Sequence, residues 1–115
     1  MSFIIKSFKV DPQALEINNA IPDNSEYCMT TEVVCLSHFT DDKISFVYRA
    51  GSRQVAISEK RCGDINKEHE VHDEVKVFSR RWGNGVESLI NISVTVSQKK
   101  IGSKSTLKTV TWVKG

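Results

Sequence analysis

The residues best equipped for chemistry are clustered at Glu68-His69-Glu70-Val71-His72-Asp73-Glu74. Imidazole nitrogens and carboxylate oxygens are ligands for divalent metals. On a helix, His69 and His72 lie three residues apart and share one side. On a strand they point to opposite faces, which leaves only His72 flanked by Glu70 and Glu74. The order is not the H-E-x-x-H of a metalloprotease. A run of mixed charge ordinarily forms a solvated face, so no metal site is expected.

Cys35, Ser37 and His38 are the nearest approach to a nucleophile and base. Such a pair works only within roughly 3 Å of each other and with an orienting group. On a strand, positions 35 and 38 face opposite ways, so they cannot serve each other. No G-x-S-x-G is present. Gly83-Asn84-Gly85 is a two-glycine turn rather than a phosphate loop, because G-x-x-x-x-G-K-[ST] is missing. No catalytic residues and no cofactor are expected, and the chain reads as non-enzymatic.

The three cysteines do not form a framework. Cys28 and Cys35, seven residues apart, would lie roughly 23 Å apart on one strand and face opposite sides, although either could still pair with Cys62. An odd count without C-x2-C spacing suggests reduced thiols rather than disulfides or zinc.

The C-terminal hairpin carries the most pronounced surface chemistry. Lys99, Lys100 and Lys104 surround its turn, Lys108 and Lys114 share a face with Trp112, and Arg80-Arg81-Trp82 is expected nearby across the sheet. Cations neutralise phosphates, and an exposed indole stacks on an unpaired base. The candidate interaction surface is therefore Arg80, Arg81, Trp82, Lys99, Lys100, Lys104, Lys108 and Trp112. The competing reading has lysines protecting a sheet edge, with Trp112 beside Val110 in the core.

These residues must be positioned by strands. Val, Ile and Thr number 13, 10 and 7, against 8 for Leu and Ala together; β-branched side chains fit a pleated surface better than a helix. Strands are expected from Phe3 to Val10, Tyr27 to Phe39, Lys43 to Arg49 and Gln54 to Ser58. Asp11-Pro12 starts a short helix, with Asp11 as cap and Pro12 in the first helical position. Ile90, Ile92, Val94 and Val96 alternate with Asn91, Ser93, Thr95 and Ser97, which predicts one buried and one wet face. Asn84-Gly85 is a strong hairpin dipeptide just before this strand, and Gly102-Ser103 turns the chain into Thr106–Val113.

Glu68 to Trp82 is ambiguous. Val71, Val75 and Val77 share a strand face, while Val71, Val75, Phe78 and Trp82 have helical spacing; the valines favour a strand. The expected fold is mainly β: residues 1–115 form one domain, an antiparallel sheet arranged as a sandwich or partly open barrel. It has about six to seven strands and one short N-terminal helix. The alternative is α+β with residues 67–82 helical.

Charge is uneven. Residues 1–40 carry two basic and five acidic side chains, and residues 87–115 carry five basic and one acidic, within an overall +2. No segment approaches the roughly 20 apolar residues of a membrane helix, and no apolar signal region follows Met1. The expectation is a cytoplasmic binding module that meets a protein partner or itself, of inhibitor, immunity or accessory type. The alternative is a nucleic-acid binder using the basic C-terminal hairpin.

Overall fold

The computed structural model describes residues 3–36, 43–61, 70–83 and 85–115. It is nearly all β, in two sheets. The strands are β1 (Phe3–Asp11), β2 (Ile21–Pro22), β3 (Glu26–Cys35), β4 (Lys43–Ala50), β5 (Arg53–Arg61), β6 (Glu70–Phe78), β7 (Ser88–Gln98) and β8 (Ser103–Lys114). One sheet has the order β1-β3-β6 and the other β2-β8-β7-β4-β5. All pairings are antiparallel except the two-residue β2, which runs parallel to β8. The sheets face each other, with β1 against β8 along one side and β5 against β6 along the other. The molecule is 46 Å long and about half as wide.

Alternation writes this arrangement into each strand. On β3, Tyr27, Met29, Thr31, Val33 and Cys35 point inward and are buried, while Glu26, Cys28, Thr30, Glu32 and Val34 point out. On β7, Ile92, Val94 and Val96 are fully buried. Facing side chains from Phe3, Met29, Phe46, Tyr48 and Ile92 fill the space between the sheets, and removing this apolar area from water is the main driving force.

Within the ambiguous segment, Glu70–Phe78 is a strand. Val71, Asp73 and Val77 are buried on the inward side of β6, and Val75 is half-buried beside them. Its partner is β3 rather than β7, so the Asn84-Gly85 region belongs to a crossing between sheets; Asn84 itself lies outside the described residues.

The expected helix after Asp11 is not formed. The chain from Pro12 stays irregular, and the helical feature there is a single 3-10 turn, Ile17–Asn19. Cross-strand bonding explains the difference. The Ala14 N–H donates to Thr111 Oγ1, the Ala14 carbonyl accepts the Trp112 N–H, both at 3.0 Å, and the Gln13 amide donates to the Val110 carbonyl at 2.9 Å. These bonds lay the segment along the edge of β8, and a helix would withdraw the same groups.

The wet face of β7 is also drier than its alternation implies. Ser93 and Thr95 are only 9% and 7% exposed. The Arg49 guanidinium donates to Thr95 Oγ1 at 3.2 Å, and Thr95 and Thr106 share a hydroxyl bond at 3.0 Å. Long side chains on the two flanking strands thus lie over the short ones between them.

Candidate interaction surface

Register decides which candidate residues share a face. In the β7–β8 hairpin, Gln98 pairs with Ser103, and counting outward places Ser93 opposite Lys108 and Leu89 opposite Trp112. Gly102 closes the turn at φ +77°, with its N–H donated to the Gln98 carbonyl at 2.9 Å; glycine reaches that region without a Cβ penalty. On β8, Thr111 and Val113 point inward and are buried. Lys104, Lys108 and Lys114 point outward and are exposed, with Val110 and Trp112 half-buried on the same side.

The outward residues of β4 and β5 extend this surface. Arg49 is in register with Ser93, and Lys43 with Arg61. The outer face of the five-stranded sheet therefore carries Lys43, Arg49, Arg61, Lys104, Lys108 and Lys114 against the carboxylate of Glu59. Glu59 binds Lys99 at 2.9 Å and Lys43 at 3.2 Å. Lys99 first, then Lys43, hold its carboxyl below the ordinary carboxylate range. At the other end, Leu89, Trp112 and Val110 form an apolar island beside Asn91, with Lys114 on one side and Lys108 on the other, and Leu89 is 47% exposed.

Three of the eight sequence-selected residues, Lys104, Lys108 and Trp112, share this face, and Lys99 and Lys100 lie at its hairpin tip. Trp112 does not join the core, because its parity on β8 is that of the outward lysines. Trp82 is a correction to the predicted surface: it is 6% exposed and packs on Tyr27 with ring centroids 5.0 Å apart. Arg80 and Arg81 are exposed but do not lie near the lysines. Arg81 shares a shallow cleft with Ala50, Arg53 and Ile90, about 27 Å along β7 from the hairpin tip. The Arg81 N–H donates to Asp23 at 2.8 Å, and Arg53 donates to the Arg80 carbonyl at 3.2 Å.

Sequence reasoning missed Arg49, Arg61 and Leu89 as members of the face. Leu89 was accessible from the hairpin register alone. Arg49 and Arg61 required knowing that β4 lies beside β7, a non-local fact.

The opposite face, on the three-stranded sheet, has the other sign. Asp11, Glu26, Glu32, Glu70 and Glu74 point outward with Lys6, Lys9 and Lys76. Lys6 pairs with Glu70 at 3.3 Å. His72 lies on this face with Nδ1 3.7 Å from Glu32 and Nε2 4.0 Å from Glu74. Its neighbours are thus Glu32 across the sheet and Glu74, rather than Glu70 and Glu74. Among the described residues, no three His, Cys, Asp or Glu side chains converge as metal ligands. The Cys28 thiol donates to Glu74 at 3.3 Å, which pushes its pKa up. Cys28 and Cys35 are both thiols. Ser37, His38, Cys62, Glu68 and His69 lie outside the described residues.

No family model matches the chain, and no curated protein matches it. Among solved structures it is similar to the solution structure of AT1g01470 from Arabidopsis thaliana, with 11% identity and a TM-score of 0.46. The match covers 99% of this chain and 81% of that one. Among the described residues, no helix is long and apolar enough to cross a membrane.

Proposed function

We propose that this chain is a non-enzymatic binding module acting through protein–protein contacts, with the outer face of the five-stranded sheet as its working surface. One observation carries the reading: a half-buried Trp112 beside exposed Leu89, with Lys114 two residues on and Lys108 and Arg49 further along the same face, whose strands carry one outward carboxylate, Glu59, among the described residues. Aromatic anchors surrounded by cations supply contact energy at the centre and charge steering at the rim. The favoured partner surface is acidic.

The test is affinity capture from native extract, with and without nuclease, using the parent chain and a Lys104→Gln/Lys108→Gln/Trp112→Ala variant. A protein captured by the parent, retained after nuclease and lost with the variant, supports the reading. Capture that is identical for both forms overturns it.

A nucleic-acid reading has one observation of its own: Lys108, Trp112 and Lys114 project from the same side of one strand, an arrangement suited to phosphates flanking a stacked base. It predicts retardation of single-stranded oligonucleotides that persists at 150 mM salt and is lost in the same variant. Binding only at low salt would be the nonspecific attraction of any polyanion to a basic patch.

A further inference from the structure

We propose that the surface recognised by the basic face is the outer face of the three-stranded sheet on a second copy of this chain, an inference that rests on the binding-module reading above. The complement is already present on the molecule. Strands β3 and β6 turn Glu26, Glu32, Glu70 and Glu74 outward against Lys76. Phe78 stands among them, directly across from Glu26 and 59% exposed. Each face thus joins an excess of one charge to an apolar anchor: five carboxylates against Lys6, Lys9 and Lys76 with Phe78 on the acidic side, and the lysines and arginines around Glu59 with Trp112 and Leu89 on the basic side.

The placement of the two faces determines the geometry of assembly. They lie on opposite sides of one sandwich, so a contact between copies leaves one acidic and one basic face unused. Such a contact is heterologous, and it propagates into an open column rather than closing as a symmetric dimer. Its strength is limited by area. Three strands about 4.8 Å apart and about 30 Å long offer roughly 430 Å² per partner, about half the standard interface. Association is therefore weak, electrostatically driven and sensitive to salt.

Sedimentation velocity on the full chain tests this at 20 mM and 500 mM salt, over a hundredfold concentration range. Two variants each disable one face: Lys104→Gln/Lys108→Gln/Trp112→Ala, and Glu32→Gln/Glu74→Gln/Phe78→Ala. Circular dichroism checks that each is folded. The expected result is a ladder of oligomers for the parent at low salt, dissolved at high salt, and a monomer for each variant alone. Mixed together, the variants should form a one-to-one pair and nothing larger, because each retains the face the other lacks. A symmetric dimer that survives in either variant overturns the proposal. So does a parent that stays monomeric at low salt, a measurement that needs no variant.

Titration with poly-L-glutamate, followed by tryptophan fluorescence, separates this proposal from the reading beneath it. A monomeric parent whose fluorescence shifts, with the shift lost in a Lys104→Gln/Lys108→Gln variant that keeps Trp112 as the reporter, overturns self-recognition and leaves the basic face as a binding surface. A monomeric parent with no shift overturns both.

Discussion

Tyr48 and Asp73 join the two sheets through the core: the Tyr48 hydroxyl on β4 donates to the Asp73 carboxylate on β6 at 2.5 Å. Both side chains are buried, Asp73 at 3% exposure. The other Asp73 oxygen accepts the Ser58 hydroxyl at 2.6 Å, and the Tyr48 oxygen lies 2.9 Å from Thr31 Oγ1. Four strands from both sheets thus meet at one polar cluster. A buried polar group is tolerated only when its partners are in place, so the cluster favours one alignment of the sheets over others.

Tyr48→Phe keeps the ring and removes the hydroxyl that serves Asp73. Stability in urea denaturation should fall by about 1–3 kcal/mol, the cost of leaving a buried acceptor short of a donor. Asp73→Ala should cost more, because Tyr48 and Ser58 both lose their acceptor and a cavity opens. An unchanged midpoint for Tyr48→Phe would mean that the inter-sheet bond contributes nothing.

Alkali should unfold the protein earlier than it would a tyrosine-free core. Burial first, then the bond to Asp73, pushes the Tyr48 phenol well above its ordinary value, and burial raises Tyr27 as well. The Tyr48 phenol stays protonated in the fold and Tyr27 holds its proton above the ordinary range, whereas the unfolded chain releases both near pH 10. Stability is therefore intact below about pH 10 and declines above it, by up to about 1.4 kcal/mol per pH unit from Tyr48, with Tyr27 adding in the same direction. Urea midpoints from pH 8 to 12 should show this decline, and Tyr48→Phe should reduce its slope.

Adjacent positions on β7 should respond in opposite ways to the same charge. Ile92 is fully buried between the sheets, so Ile92→Asp should abolish cooperative thermal unfolding by placing an unpaired carboxylate in the core. Ser93, although only 9% exposed, has Arg49 on one side and Lys108 on the other in register. A carboxylate there meets two cations, and Ser93→Asp should change stability by less than about 1 kcal/mol. Equal damage from both would contradict the assignment of faces.

The two tryptophans should separate structure from binding. Trp82→Ala removes an indole packed on Tyr27 and should cost about 3–5 kcal/mol in stability. Trp112→Ala should cost far less in the same denaturation assay, while weakening capture of any partner on the basic face. A Trp112→Ala variant as unstable as Trp82→Ala would return that side chain to the core.

Much of the architecture was legible residue by residue. Alternation along β7 identified its core side because a strand turns successive side chains to opposite faces whatever its neighbours are. The β7–β8 hairpin followed from one turn, and its register follows by counting. Trp112 is outward for the same local reason that Lys108 and Lys114 are.

Strand partnership was not legible. Asn84-Gly85 is a hairpin dipeptide by its local chemistry, yet β6 pairs with β3 and β7 with β4, because each strand goes where its apolar side completes a shared core. That choice buries Trp82 and moves Arg80 and Arg81 to the far end from the lysine turn. Asp73 shows the limit most sharply. Between His72 and Glu74 it resembles part of a solvated run, and only the arrival of Tyr48, Ser58 and Thr31 from three other strands makes its burial affordable. A period of two residues is a property of the backbone and is present in the sequence. The hydrogen-bond donors that meet a buried carboxylate come from other strands, and only the tertiary fold brings them together.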